Sequence, residues 1–598
     1  MFDEMLEVFE AELEKKSEKW LYDNYIPVPG TYIMLNIDDN FSIRGEILFI
    51  EKPDKKTGDI IAKNNKNYEF IRLLDKNSKL ITMNKPIDTG KIIHSNNFYS
   101  LFVKKESLKN GKYTSKNIDN YYNTLANPKE KYKNKNSRQM YESVEKKLGE
   151  VNTDILTKIK DWVQNHFLDF IAENRIDTES KDYIKIFFVY SDDEKTKSKI
   201  KIEGERYFLP NIFNSNDYNQ TVNDETFGLH NNNMGLNNKK PFLANRTRKV
   251  SIPCAVSMDK ALSLYLFMEY LSSQAAIKKY NIYFDLDNKK IISTQDNVEI
   301  EPIESGIYLR IRQSKTETAI YSMERICGYR PKLKKPLRIK EILKLSDKSK
   351  KDYYNYYGTK YKLHEIEQIV NEVLFNKYLI SNYKSSVDEF PSKMDSTVKE
   401  YLTLCREQLW NWFHNNDDTN VLTILNKACK NLIYDTFING FHEKTKNQFN
   451  LWFSLADYLD ANEKRGENMS NAKELLIKHL SSDEEWEFEN SDEYYYAVGQ
   501  ITYLLNNFSK ASKKALDMVR PIITVKDNEL LKKRITQLAK KYDYAFDMRY
   551  KKTRTLLAKI LIYTTDAKVN DVIIMAGYID DNLLYKSNKQ KETITENE

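Results

Sequence analysis

A chain of 598 residues with 40% hydrophobic and 30% charged residues has material for roughly two to four packed domains, and 16 glycines and 13 prolines are too few for an all-β sandwich, a collagenous repeat or a low-complexity disordered chain. The net charge of +7 is modest for this length and does not by itself announce a nucleic-acid partner. No run approaches roughly twenty consecutive apolar residues, residues 1–20 are acidic and amphipathic, and the four cysteines (Cys254, Cys327, Cys405, Cys429) stand singly. These features predict a helix-rich cytoplasmic protein with no membrane association, no zinc ribbon and no disulfide framework.

Phe2, Leu6, Phe9 and Leu13 recur at helical spacing and predict an opening helix, which Pro27-Val28-Pro29-Gly30 stops. Residues 32–37 and 43–50 alternate and are β-branched, a hairpin with Asp38-Asp39-Asn40 in its turn. Residues 104–139 are polar, basic and Asn-rich, and are expected to form a surface loop or insertion. Residues 144–172 read as a helix and 184–190 (IKIFFVY) as a buried strand. Residues 209–249 hold few periodic apolar positions, the pattern of a long binding loop. Ser257 then caps a helix through Leu262, Leu266 and Tyr270. Residues 283–285, 298–301 and 307–312 supply a second group of strands.

Beyond about residue 339 the strand signals stop, and helical patterns cover 363–382, 394–414, 421–437 and 443–459. A terminal set follows, lined by Val498, Ile501, Leu505 and Phe508, then Leu531, Ile535 and Leu538, then Leu557, Ile560 and Leu561, then Val572 and Ile573. The expected class is α+β, a mixed α/β N-terminal region followed by an all-α C-terminal helical bundle. Four parts are expected. Residues 1–205 form an N-terminal α/β region with a basic insertion, and 206–338 a loop-rich region with strands that contacts nucleic acid. Residues 339–480 form a helical domain, and 481–598 the C-terminal bundle.

Charge is informative by region. Residues 226–258 hold no acid and five cations. Residues 325–351 hold eleven Lys/Arg against two acids, and residues 509–560 fifteen against five. Residues 483–493 (DEEWEFENSDE) oppose them with seven acids and no base. One such block usually marks a solvated face. Three of them favour a phosphate backbone, whose neutralisation releases condensed counterions.

No Walker A sequence, GxGxxG, HExxH or GxSxG occurs, and the seven histidines lack metal-ligand spacing. Glu145-Lys146-Lys147 has the carboxylate–lysine pattern of nuclease cores, and Asp285-Leu286-Asp287 offers two carboxylates, though it reads more simply as a strand ending in a turn. In so charged a chain such triples arise by chance, and no catalytic residue, metal or cofactor is assigned. A scaffold and reader is expected rather than an enzyme. In residues 229–253 the amides of Asn231, Asn232, Asn233 and Asn245 can reach base edges. Lys239, Lys240, Arg246, Arg248 and Lys249 can anchor phosphates there. The bland alternative is an Asn-rich surface loop from an A/T-biased genome. Residues 330–336, with Lys332, Lys334 and Lys335, form a stiff basic linker that either touches phosphates or simply joins two domains.

Three segments carry a resemblance: YIPVPGTYI (25–33), MGLNNKKPFLANRTRKVSIPCAVSMDKALSLYLFMEYL (234–271) and EYYYAVGQITYLLNNFSKASKKALDMVRPII (493–523). With their order along the chain they resemble the large subunit (Cas-eight-b type) of the subtype I-B CRISPR Cascade surveillance complex. The resemblance implies a non-catalytic subunit that caps a crRNA-bearing backbone and recognises the protospacer-adjacent motif in target double-stranded DNA. It also implies a subunit that steadies the displaced single strand of the R-loop and recruits a helicase-nuclease in antiviral defence. Its partners would be crRNA, both forms of DNA, the Cascade backbone subunits and a small subunit made from the same gene. The loop at 231–249 would be the motif reader, and Lys532, Lys533, Arg534, Arg549, Lys551, Lys552 and Arg554 would line a groove for single-stranded DNA. Some relatives carry a zinc-binding cysteine cluster, and this chain has none.

For the small subunit, Lys464-Arg465-Gly466-Glu467-Asn468-Met469 can be encoded as AAA-AGA-GGA-GAA-AAT-ATG, a ribosome-binding sequence before a start codon. The product from Met469 would have 130 residues. The bland alternative is a polar loop before a capped helix. Two other functional readings stay open: a divergent metal-dependent nuclease using Asp285 or Glu145, and an RNA-binding scaffold outside CRISPR systems.

Overall fold

The computed structural model describes residues 1–16, 19–53, 60–78, 86–223, 225–231, 255–296, 298–313, 317–460, 462–482, 484–509, 516–542 and 551–585. The protein is α+β, with a mixed α/β N-terminal region and a largely helical C-terminal part. It divides into two compact units, Met1–Ser293 with Leu309–Ile320, and Thr294–Tyr308 with Tyr321–Glu598. The stretch expected as 206–338 thus contributes to both, and those expected as 339–480 and 481–598 share the second. Among the described residues no helix is long and apolar enough to cross a membrane.

In the first unit the opening helix α1 (Phe2–Lys16) buries Met5, Leu6, Val8 and Phe9. Strand β1 (Gly30–Asn36) pairs antiparallel with β2 (Ser42–Ile43) and β3 (Leu48–Ile50), giving the expected hairpin. Helix α2 (Tyr68–Ser78) follows along the chain, then β4 (Ser100–Lys104). The apolar run at 184 becomes β5 (Tyr183–Val189), which lies parallel to β1 and antiparallel to β4. Its one charge, Lys185, is buried and ion-paired with the fully buried Asp75 of α2, 4.4 Å from the Phe102 ring. A buried ammonium persists there only because it is paired.

The expected loop at 104–139 is instead helical. Ser115–Ala126 (α3) and Lys135–Leu148 (α4), with the short helical turns Lys105–Lys109 and Pro128–Lys131, occupy most of it, and Tyr121 and Tyr122 are fully buried. Ile118, Tyr121, Tyr122 and Leu125 form a narrow apolar stripe that the Asn and Lys around it obscure. The expected single helix at 144–172 breaks at Gly149, which adopts φ 80, and restarts in α5 (Thr153–Asn165), where the Asn152 side chain accepts from the Ile155 amide. A long helix α6 (Asp193–Phe208) follows. Described parts of 209–231 hold β6 (Gln220–Val222) and β7 (Glu225–Gly228), and β7 pairs with β8 (Val256–Ser257). Ser257 caps α7 (Met258–Ala276) by accepting from Lys260 N.

A second sheet has the order β10 (Lys290–Thr294), β9 (Asn281–Asp285), β11 (Ile303–Gln313), β12 (Thr318–Tyr329). Residues 298–301, expected as a strand, are irregular. In the second unit the expected linker at 330–336 is a strand. β13 (Lys332–Ile339) pairs antiparallel with β14 (Gly358–Lys362), so strands continue past residue 339. The register shifts between Lys332 and Leu337, where Pro336 sits, the place a proline that cannot donate is tolerated.

The helices α8 (Leu363–Val373), α9 (Ser396–Asn415), α10 (Val421–Ile438), α11 (His442–Leu459), α12 (Arg465–Ser481), α13 (Ser491–Asn507), α14 (Asn528–Lys541), α15 (Lys551–Ile562) and α16 (Asp571–Ile579) complete it. Helices α13 and α16 cross at reciprocal glycines. A methyl on Gly499 would collide with Ile574 O and lie 2.6 Å from Tyr578 N, and one on Gly577 would collide with Tyr496 O. The Gln500 amide donates to Gly577 O at 2.6 Å, and Tyr496 to Asp580 at 2.8 Å. This contact brings the Tyr494-Tyr495-Tyr496 run into the core, with each tyrosine at most 1% exposed.

Candidate nucleic-acid interface

Helix α14 starts at Asp527, whose carboxylate accepts from Leu530 N at 2.7 Å. It buries Leu531, Ile535 and Leu538. With those on one face, the 3.6-residue period turns Lys533, Arg534, Lys540 and Lys541 outward, and all four are exposed. Helix α15 buries Thr553, Leu556 and Ile560 and exposes Lys551, Lys552 and Arg554. Between the two helices runs a groove of about 370 Å³ with Lys540 and Arg554 among its walls and Ala539, Leu557, Ala558 and Leu561 beneath. A cationic rim over an apolar floor suits a strand whose phosphates lie outward.

Several other described cations in and beside this block are engaged within the protein. Lys526 and Lys430 both reach Asp571, each at 2.8 Å. Burial alone would raise the Asp571 carboxyl, but the hydrogen bonds from these lysines hold it below the ordinary carboxylate range. Lys532 pairs with Glu529 at 2.8 Å and is 12% exposed. Lys552 donates to Leu480 O at 2.7 Å, satisfying a carbonyl in the last turn of α12. Lys559 lies 3.7 Å from Glu485 and over the Trp486 ring. Glu485 of the acidic segment thus meets Lys559 of the basic one. Trp486 in turn stacks on His479 at 4.8 Å, and His479 Nδ1 lies 2.6 Å from the buried Glu493, whose carboxyl burial pushes up.

The β13–β14 ribbon is pinned more completely. Lys334 reaches both carboxylate oxygens of Asp418 at 2.8 and 2.9 Å. Lys335 lies 5.1 Å over the Tyr458 ring, and Lys362 pairs with Glu299 at 2.7 Å. Lys332 is exposed, opposite Lys362 in the register.

Of the expected loop reader, Asn231 is described. Its amide Nδ2 donates to Asn211 O at 3.3 Å, and its backbone N–H to Ile212 O. Asn232, Asn233, Lys239, Lys240, Asn245, Arg246, Arg248 and Lys249 lie outside the described residues, as do Arg549 and Cys254. Met469 is 1% exposed, and the stretch read as a polar loop before it is the first turn of α12, beginning at Arg465. Glu145 pairs with Lys129 at 2.5 Å and accepts from the Tyr141 hydroxyl. Asp285 accepts from Asp287 N, Asn288 N and the Asn288 side chain, the strand-ending turn of the simpler reading.

Lys540 and Lys541 were not singled out from the sequence, although their spacing of seven and eight from Lys533 places them on its face. In comparisons with protein-family models, curated proteins and solved structures, nothing matches this chain.

Proposed function

We propose that the chain is the non-catalytic large subunit of a type I-B CRISPR RNA-guided surveillance complex, binding target DNA, reading its adjacent motif and recruiting the helicase-nuclease. Nucleic-acid binding rests on one observation above the others. Lys533, Arg534, Lys540 and Lys541 of α14 share an exposed face beside a groove that Arg554 closes from α15. The narrower assignment rests on the likeness of residues 25–33, 234–271 and 493–523 to that subunit.

The test is to tag the C-terminus, purify the protein from its native operon, and examine the eluate. A uniform guide-length RNA, several co-purifying subunits and a tagged 130-residue product beginning at Met469 are the expected result. Recovery of the lone 598-residue chain without RNA would overturn the assignment. Leu in place of Met469 should abolish the short product while the full chain persists.

A further inference from the structure

The first unit holds a cavity of about 310 Å³ that plays no part in the reading above. One wall is the face of α7 that carries Leu262, Tyr265, Leu266, Glu269 and Ser272, half-buried residues at spacings of three and four. The opposite face, with Leu264, Phe267 and Leu271, is buried. A helix apolar on both sides has two things to cover. The second wall is the end of α6, with Gly204 and Phe208. A methyl on Gly204 would stand 2.7 Å from Asn77 O, so α6 approaches the end of α2 backbone to backbone.

The chemistry of the lining is selective. Its charges are paired within it: Lys76 with Glu269 at 2.6 Å, and Lys201 with Glu205 at 4.0 Å. Lys76 also lies 5.3 Å over the Tyr25 ring. A phosphate therefore finds no uncompensated cation, whereas a neutral flat group finds Tyr25, Tyr265 and Phe208 for its faces. Asn96, another lining residue, is 3% exposed, and its Oδ1 accepts no hydrogen bond. Leaving a buried acceptor unmade is costly, and an incoming N–H recovers that loss. The volume sits at the lower end of small-ligand sites, enough for a base or nucleoside and too small for a helix.

We infer that this cavity takes an unpaired nucleobase bearing an amino group, with its faces against the aromatic and leucine walls and its N–H edge toward Asn96. Enzymes that extrude bases use the same combination of stacking walls and edge-directed polar groups. A peptide's aliphatic side chain would fill the volume but leave the Asn96 acceptor unmade. The inference draws on nucleic acid being the partner, and it is tested independently of that reading.

Saturation-transfer NMR on the full chain with cytidine, adenosine and their exocyclic N,N-dimethyl analogues provides the test. Saturable transfer to base protons is expected, with cytidine and adenosine each bound several-fold tighter than the N,N-dimethyl analogue that has lost the exocyclic N–H. Ser272→Phe and Leu266→Trp, two independent ways of filling the space, should weaken cytidine at least tenfold. Asn96→Leu removes no hydrogen bond of the fold and should level cytidine with its N,N-dimethyl analogue. Absence of saturable transfer from all four nucleosides to the folded chain overturns the inference, as does transfer unchanged in both filling variants. A single-stranded oligonucleotide separates the two claims. If it binds while nucleosides do not, the cavity inference falls and the nucleic-acid reading stands. If nucleosides bind and the oligonucleotide does not, the cavity inference stands and the large-subunit reading falls.

Discussion

The β13–β14 ribbon and the α14–α15 pair lie in or beside two comparably basic stretches of sequence, yet their side chains are arranged differently. On the ribbon Lys334 is held by Asp418, Lys335 lies over Tyr458 and Lys362 is paired with Glu299. On α14 the acids Asp527 and Glu529 sit in the cap and first turn, where they favour the helix, and the cations beyond them face outward. A run of lysines in sequence thus serves as internal cement in one place and as outward-facing charge in another. What decides between them is whether a neighbouring element supplies a carboxylate or an aromatic face.

The largest expected effect separates the two elements directly. Converting Lys533, Arg534 and Arg554 together to Glu should weaken single-stranded DNA binding roughly 100-fold at 0.1 M salt and flatten the slope of log K against log salt by about 2. Lys332→Glu on the ribbon should change affinity no more than about threefold. Filter-binding titrations at several salt concentrations measure both, and equal effects would dissolve the distinction.

Next comes the core of the unit that carries the groove. Gly499→Ala has no room at the α13–α16 crossing, so it should cost about 1–3 kcal/mol, seen as a lower urea midpoint at unchanged slope. A smaller effect concerns pH. His442 opens α11, the helix that supplies Tyr458 to the ribbon. Burial, and then Lys446, push its imidazole below its ordinary value, with Glu443 opposing. The folded chain therefore resists a proton that the unfolded chain accepts. This contribution is present above about pH 6.5 and is lost as the pH falls through the depressed folded value. Melting at pH 7.5 and 5.5 should show the loss, and His442→Gln should reduce the difference. The smallest effect is on the exposed Lys334–Asp418 pair. Asp418→Asn should change stability by less than about 1 kcal/mol in a denaturant titration, while freeing Lys334 to strengthen DNA binding slightly.

Much of the helical half was legible because its periodicity is long and unbroken. The helix expected at 421–437 is Val421–Ile438, and that at 443–459 is His442–Leu459. Residues 104–139 were misread because one stripe of tyrosines in an Asn- and Lys-rich background resembles a solvated loop until a core is there to receive it. Residues 330–336 were misread for a related reason. Lysines flanking prolines favour a linker locally, but the backbone hydrogen bonds of a strand depend on a partner 19 to 30 residues away. Of the proposed interface, charge alone marked the basic stretch 509–560, and the resemblance named Lys533, Arg534 and Arg554 within it. That Lys532 and Lys552 turn to Glu529 and Leu480 O was not legible, and neither was the cavity beside α7.

By itself the sequence determined the α+β class, the buried strand at 184, the Ser257 cap and the order of the helices. Each of these follows from propensity and periodicity within a short stretch of chain. The tertiary structure alone decided which charges are internal, which glycines let two helices touch, and where a cavity remains. Each of those depends on groups far apart in sequence. Lys185 stays buried because Asp75 meets it, and Gly499 has no room for a methyl because the backbone of Ile574 and Tyr578 lies across from it.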